Sequence, residues 1–150
     1  MTSSSALTDH TGYWLRMVSN AVSQEFSRKL AGEGVTVAEW VFLRALAEGE
    51  GLAPTLLAAK MAMTRGAISK LADRLEAKGL IARTDSETDG RAQSLSLTAE
   101  GQAKVPVLAR LADLNDAEYF GVLAPDERAA LDRTLRALVQ RRGLTTVPTD

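Results

Sequence analysis

The sequence predicts a mainly α-helical protein with a small β-wing. Residues 64–98 carry the main evidence: an amphipathic helical pattern is followed by a short apolar strand, a charged loop containing a glycine, and a strand of alternating apolar and polar residues. Apolar residues also recur at helical spacing before and after this stretch. A chain of 150 residues has room for about one domain with helical extensions.

Composition narrows the class of protein. The chain is 45% hydrophobic and 25% charged, has no cysteine, and has one histidine, His10, so disulfides, thiolate sites and histidine metal clusters are excluded. It also lacks a Gly-rich phosphate loop and a spaced carboxylate motif, so we expect neither an enzyme nor a cofactor or metal site. The first residues do not resemble a secretory signal, and no apolar run approaches the ~20 residues of a membrane span. We therefore expect a cytoplasmic protein.

Three helices are predicted before the wing region. The first covers residues 12–30 and is marked by an apolar residue at every fourth position, after which Gly32 and Gly34 end it. The second begins at Thr36, since Glu39 stands three residues later at the spacing of a capping box. The third is short, covers residues 54–61, and has Pro54 in its first turn.

The fourth helix and the wing follow. Thr64 suits the N-cap of a helix whose inward residues include Ile68, Leu71 and Leu75, and Gly79 suits its C-cap. Strands are predicted at residues 80–84 and 94–97, with the wing loop at 85–93 between them. Thr98 then caps a long helix bent by Pro106, and a last helix covers residues 125–141.

Positive charge is concentrated near the fourth helix. The whole chain has a net charge of −1, but residues 60–84 contain six basic and two acidic side chains, which gives +4. A local patch of this kind can bind phosphates while the remaining surface stays acidic. A helix of a size that fits the major groove, beside a basic hairpin, suggests a DNA-binding protein. A solvated helix face would produce the same charge pattern.

The residues described above resemble the MarR family of winged helix-turn-helix transcriptional regulators. The resemblance extends over residues 7–142 and is most specific in LADRLEAKGLIARTDSETDGRAQSLSLTAEG, with a further match in TVAEWVFLRALAEG. It implies a homodimer that binds a pseudo-palindromic operator, as a repressor in many members, and that releases DNA when a small, often aromatic or anionic effector binds. It also implies three parts: an N-terminal dimerisation helix (1–35), a winged helix-turn-helix domain (36–98) and C-terminal dimerisation helices (99–150).

The resemblance and the helix geometry together predict a DNA site on the fourth helix and the wing. The first turns of the helix should face bases and phosphates, and Arg91 at the wing tip should enter the minor groove, with Asp89 orienting its guanidinium. Gly66 is the least expected residue, because it costs about 1 kcal/mol of helix propensity relative to alanine. The predicted contacts are Thr64, Arg65, Gly66, Ala67, Ser69, Lys70, Arg74, Arg83, Asp89 and Arg91.

Some of these assignments have alternatives. Lys70 is either a DNA contact or a solvated side chain, and Arg74 either binds phosphate or pairs with Asp73 or Glu76. Arg83 is expected to contact phosphate. Arg91 would otherwise form an exposed turn pair of little energetic weight.

Apolar side chains outside the DNA site predict two further surfaces. Leucines at helical spacing in the last two helices are candidates for a dimer seam, with burial inside one subunit as the alternative for some of them: Leu108, Leu111, Leu131, Leu135 and Leu138. An effector pocket between the dimerisation and DNA-binding parts is expected to include Tyr13, Trp14, Met17 and Trp40, although aromatic residues at such spacing are more often core. The alternative function is a winged-helix protein–protein adaptor, which would need neither Arg91 nor a basic helix face.

Overall fold

The computed structural model describes residues 3–49, 51–85 and 93–150. After a single 3-10 turn at Leu7–Asp9, the order of elements is the predicted one. They are α1 (Thr11–Ala31), α2 (Val37–Ala47), α3 (Pro54–Met61), α4 (Arg65–Ala77), β1 (Ile81–Asp85), β2 (Gln93–Leu97), α5 (Ala99–Phe120) and α6 (Pro125–Arg142). The prediction of a mainly helical fold with a two-stranded wing is therefore confirmed. Within the described ranges, no helix is both long enough and apolar enough to cross a bilayer.

Threonine caps set the starts of three helices. The Thr36 hydroxyl accepts from the Glu39 N–H at 3.1 Å, and the Glu39 carboxylate accepts from the Thr36 N–H at 2.9 Å, which completes the predicted capping box. Thr64 accepts from the Ala67 N–H and Thr98 from the Gly101 N–H, each at 3.1 Å. Each cap satisfies a backbone donor that the first helical turn would otherwise leave unpaired.

A Schellman motif joins α4 to the wing. Gly79 has φ +75°, its N–H donates to Glu76, and the Leu80 N–H donates to Leu75. This geometry corrects a predicted boundary, since Leu80 belongs to the turn after the helix and the strand begins at Ile81. Asp85 and Gln93, predicted as the ends of the wing loop, are paired strand residues instead. The Leu80 carbonyl accepts from the Thr98 N–H at 3.1 Å, so the start of α5 is held against the end of α4.

The hydrophobic core lies between α2, α3, α4, the wing strands and the first half of α5. Inward-facing leucines of α2 and α3 meet Ile68 and Leu75 of α4, and Leu95 of β2 closes the other side. Leu95 also exchanges two backbone hydrogen bonds with Leu52, which precedes α3, at 2.8 and 3.0 Å. The wing therefore bonds to the helix-turn-helix through backbone as well as through side chains. The fully enclosed apolar residues are Leu30, Phe42, Leu43, Leu57, Met61, Ile68, Leu75, Leu95 and Leu108.

Polar contacts hold α1 on α5. Asn115, which is 4% exposed, donates to the Val22 carbonyl at 3.2 Å, and the Tyr119 hydroxyl donates to the Ala21 carbonyl at 2.9 Å. Lys29 donates to Asn115 at 3.0 Å and pairs with Glu118 at 2.8 Å. These bonds fix the register of the two helices.

Helix α6 differs from the other described helices of three turns or more in the burial of its residues. None of its 18 residues is buried, although Leu135, Leu138 and Val139 are apolar and 36–48% exposed. This apolar stripe has no cover within the described chain.

Candidate nucleic-acid interface and effector groove

The predicted contacts on α4 lie on one open face of the helix. Arg65, Gly66, Ser69, Lys70 and Arg74 are exposed, and Ala67 is half-buried. Ile68, Leu71 and Leu75 occupy the opposite face and enter the core. Thr64 is exposed beside the face, where its hydroxyl caps the helix. This surface presents cations around the positive end of the helix dipole, which suits a polyanion.

Gly66 leaves an open notch in this face. A Cβ built at this position would meet no atom of the chain within 4 Å, and its φ lies outside the left-handed region. Neither packing nor backbone conformation within the chain therefore requires glycine here.

The structure reassigns the carboxylates of α4. Asp73 and Glu76 both pair with Arg83 of β1, with 3.5 Å between Arg83 Nε and Glu76 Oε2. Among the described residues neither carboxylate pairs with Arg74, so the intramolecular alternative for Arg74 is wrong in this structure. Arg83, expected to contact phosphate, has its guanidinium directed at the two carboxylates instead.

Lys78 is a second cation of the charged stretch that the fold itself uses. Its ammonium donates to both oxygens of Glu39, at 2.8 and 3.0 Å, and to the Gly34 carbonyl at 2.8 Å. The Glu39 side chain is 0% exposed. Burial acts to raise the pKa of Glu39, but the hydrogen bonds from Lys78 and Thr36 outweigh it and hold that pKa below its ordinary value.

The sequence alone does not reveal either of these pairings. Glu39 was predicted as a cap, and the spacing of 39 residues to Lys78 gives no local signal. Asp89 and Arg91, the two predicted contacts of the wing tip, lie outside the described residues.

A groove of about 290 Å³ lies between α1, α2 and α5. Phe26, Trp40 and Val41 form its apolar floor, and Ser23, Asn115 and Asp116 supply polar groups. Pro148 and Asp150, from the segment that follows α6, complete the lining. Two carboxylates thus border the groove, and no lysine or arginine is among the described residues that line it.

The four predicted effector residues are not brought together within one chain. Only Trp40 lines the groove. Tyr13 and Met17 border a shallow depression on α1 with Arg16 and Asn20, and the Trp14 indole donates to the Thr8 carbonyl at 3.1 Å. Sequence reasoning missed Asn115 and Asp116, which are polar residues in a helix that otherwise reads as a dimer seam.

Comparison with known proteins agrees with the geometry. The sequence profile of the MarR family matches residues 33–92, which span α2 to the wing. A putative transcriptional regulatory protein for the hcr operon of Thauera aromatica is 30% identical over 93% of this chain and 85% of its own length. A helix-turn-helix transcriptional repressor of Mycobacterium bovis is 31% identical over 85% of this chain and 91% of its own.

Solved structures have the same fold. BpsR of Bordetella bronchiseptica, described in connection with regulation of its DNA binding by 6-hydroxynicotinic acid, superposes with a TM-score of 0.76 at 24% identity, covering 91% of this chain and 97% of BpsR. A MarR mutant of Escherichia coli in complex with operator DNA gives a TM-score of 0.74 at 24% identity, covering 85% and 92% of the two chains. The profile, the relatives and the helix-and-wing architecture together show that this chain belongs to the MarR family of DNA-binding transcriptional regulators, which are not enzymes.

Proposed function

We propose that the protein acts as a homodimeric repressor in the cytoplasm, binds a pseudo-palindromic operator, and releases it when a small molecule occupies the groove beside Trp40. The observation that carries the DNA site is the open face of α4, where Arg65, Lys70 and Arg74 surround the notch at Gly66. The repressor sign is supported by the Mycobacterium bovis relative, which is named a repressor.

The parts of the DNA site have separate roles in this proposal. The start of α4 enters the major groove, where Arg65 and Ser69 reach base edges and Thr64, Lys70 and Arg74 reach phosphates. Gly66 and Ala67 let the helix approach the bases closely. Arg91, oriented by Asp89, enters the neighbouring minor groove.

The dimer is proposed from uncovered apolar surface. Residues 1–35 and 99–150 would form the dimerisation parts and residues 36–98 the DNA-binding domain. The stripe of α6 supports this division, and α1 adds exposed apolar side chains of its own. Exposed apolar surface of this kind marks an association site. Two copies would present their α4 helices about 34 Å apart, one turn of DNA. The large apolar residues that are exposed on α1, α5 and α6 are Trp14, Leu15, Met17, Val18, Leu114, Leu135, Leu138 and Val139.

The residues that line the groove indicate the size class, polarity and charge of the effector that it would bind. Its floor of Phe26, Trp40 and Val41 suits an aromatic or aliphatic body, and Ser23 and Asn115 offer hydrogen bonds. Asp116 and Asp150 are its charged lining residues. Because Arg128 pairs with Asp116 at 3.2 Å, Asp150 carries the remaining negative charge, which favours a neutral or cationic molecule over an anionic one. BpsR, whose DNA binding is described as regulated by 6-hydroxynicotinic acid, supports the general idea of a small-molecule effector. Tyr13, Trp14 and Met17 would contribute only from the α1 surface.

DNA titrations test the operator site. The probe is the intergenic DNA upstream of the gene, and binding is followed by fluorescence anisotropy at several salt concentrations. We expect Arg91→Ala to weaken binding by about tenfold or more, and Lys70→Ala to lower the salt slope by about one. Arg133→Ala is the matched control, since it removes an exposed arginine from α6. Equal affinity of the Arg91→Ala and wild-type proteins would contradict the wing contact.

Sedimentation velocity tests the dimer. Leu138→Glu places a charge in the apolar stripe of α6, and we expect it to shift the protein toward monomer. Arg136→Glu, a charge change two residues away on an exposed side chain of the same helix, should leave the dimer intact. A wild-type protein that is monomeric at micromolar concentration would contradict the proposal.

A further inference from the structure

Arg83 lies on the inward face of the wing. It pairs with Leu95 across the hairpin, and residues directly opposite in an antiparallel pair direct their side chains to the same face. Leu95 is 0% exposed and Ile81, two residues before Arg83 on the same face, is 2% exposed. The Arg83 side chain is 24% exposed and is directed toward α4 rather than away from the hairpin.

Two carboxylates one turn apart on α4 hold this guanidinium. Arg83 Nη2 donates to Asp73. Nε is buried and makes no hydrogen bond among the described residues, but it lies within ion-pair distance of Glu76 Oε2, at 3.5 Å. Two negative groups around one cation leave no net positive charge for a phosphate. The contact spans from the DNA-facing helix to the first strand of the wing, so it joins the two parts of the proposed DNA site.

We propose that Arg83 is a positioning residue for DNA recognition: its fork across Asp73 and Glu76 sets the wing against α4. The two strands of the wing are thereby held in a fixed position beside α4 when that helix is seated in the major groove. The inference rests on the proposed wing contact of Arg91. It replaces the sequence-based expectation that Arg83 itself binds phosphate.

Removing the charges of Asp73 and Glu76 distinguishes a positioning role of Arg83 from direct binding of phosphate. In the double variant Asp73→Asn with Glu76→Gln, Arg83 remains and two negative charges near DNA are lost. A phosphate-binding Arg83 would then bind operator as well as before or better. A positioning Arg83 would lose its partners, and we expect affinity to fall about tenfold, near the lower bound for loss of one groove contact. Asp85→Asn is the matched control, because Asp85 is an exposed carboxylate of β1 without an ion pair among the described residues.

The salt dependence gives an independent reading. In an Arg91→Ala protein, Arg83→Ala should leave the slope of log affinity against log salt unchanged, whereas loss of a separate phosphate contact would lower that slope by about one more. Arg83→Lys should restore only part of the affinity, since an ammonium cannot bridge both carboxylates in the fork geometry. Thermal unfolding of each variant confirms that folded proteins are compared.

A double-mutant cycle between Arg83 and Arg91 completes the test. If Arg83 acts through the wing, Arg83→Ala should have little further effect in an Arg91→Ala protein. Full additivity of the two losses, or undiminished binding by the Asp73→Asn, Glu76→Gln protein, would overturn the positioning role. Undiminished binding by Arg91→Ala alone would instead contradict the wing contact, so the two failures are distinguishable.

Discussion

Lys78, at the end of α4, uses its ammonium to hold the buried carboxylate of Glu39 near the start of α2, with 2.8 Å between Nζ and Oε2. The third contact of the ammonium is the Gly34 carbonyl at 2.8 Å. The pair fixes the end of α4 against the start of α2. The same carboxylate caps α2, so one side chain contributes to two junctions.

The first prediction concerns the pH dependence of stability. The pKa of Glu39 is lowered in the folded state, so its ionised form contributes stability that is present above the unfolded pKa, about 4.3, and is lost as the pH falls through the folded pKa. We expect Glu39→Gln to cost about 1–3 kcal/mol of unfolding free energy at pH 7. The cost should shrink in acid. Urea denaturation at pH 7 and at pH 3.5 measures both values, and a cost that is independent of pH would contradict the assignment.

The second prediction is that Gly66→Ala makes the protein more stable and a poorer DNA binder. The added methyl meets open space in a helical backbone, so a gain of roughly 0.5–1 kcal/mol is expected from helix propensity. The same methyl would fill the notch through which α4 approaches base edges. Thermal unfolding and operator titration check the two effects, and unchanged affinity would show that close approach does not need the glycine.

The third prediction applies the same substitution where it should have the opposite effect on stability. A Cβ at Gly101 would lie 2.1 Å from the Leu80 carbonyl oxygen, a backbone atom of the turn that ends α4. We expect Gly101→Ala to destabilise the protein by about 2 kcal/mol or more, since the start of α5 must move away from that turn. Chemical denaturation measures the change. A neutral result would mean that the two helix ends are not in tight contact.

The fourth prediction concerns the segment after α6. Val147 lies beside Trp40 and Arg44, and Pro148 and Asp150 line the groove. Deletion of residues 145–150 keeps the bond from the Leu144 N–H to Val139 that closes α6. We expect it to increase acrylamide quenching of Trp40 fluorescence in a Trp14→Phe protein. In a Trp40→Phe protein, where Trp14 reports, quenching should stay the same, and equal changes at both residues would argue against specific cover of the groove.

Local signals in the sequence were sufficient for the elements of the fold. Thr36, Thr64 and Thr98 each stand where the structure has a cap, because capping depends on residues only three positions apart. The helix end at Gly79 was predicted for the same reason, whereas the strand boundaries were wrong at Leu80, Asp85 and Gln93. The wing was predicted from the alternation of residues 94–97, a pattern that one buried face imposes.

Long-range pairing was the part that the sequence did not supply. In the sequence, Arg83 and Lys78 looked like further members of a basic surface. Residues that form an ion pair between different elements stand at no fixed spacing in the sequence, unlike pairs three or four residues apart on one helix. The groove shows the same limit, because Trp40 meets Asn115 and Pro148 only after three segments have packed. The contacts predicted for Asp89 and Arg91 rest on the family resemblance and on the hairpin pattern.

The commitment of Lys78 and Arg83 to internal pairs has a consequence for how the protein finds its target in a genome. Of the six cations in residues 60–84, four make no ion pair among the described residues, namely Lys60, Arg65, Lys70 and Arg74, on a chain whose net charge is −1. Attraction to arbitrary DNA comes from counterion release and grows with each phosphate neutralised. A small number of unpaired cations therefore shortens the time spent on the many competing sequences. Discrimination is then left to base contacts and, in the proposed dimer, to the spacing of two half-sites.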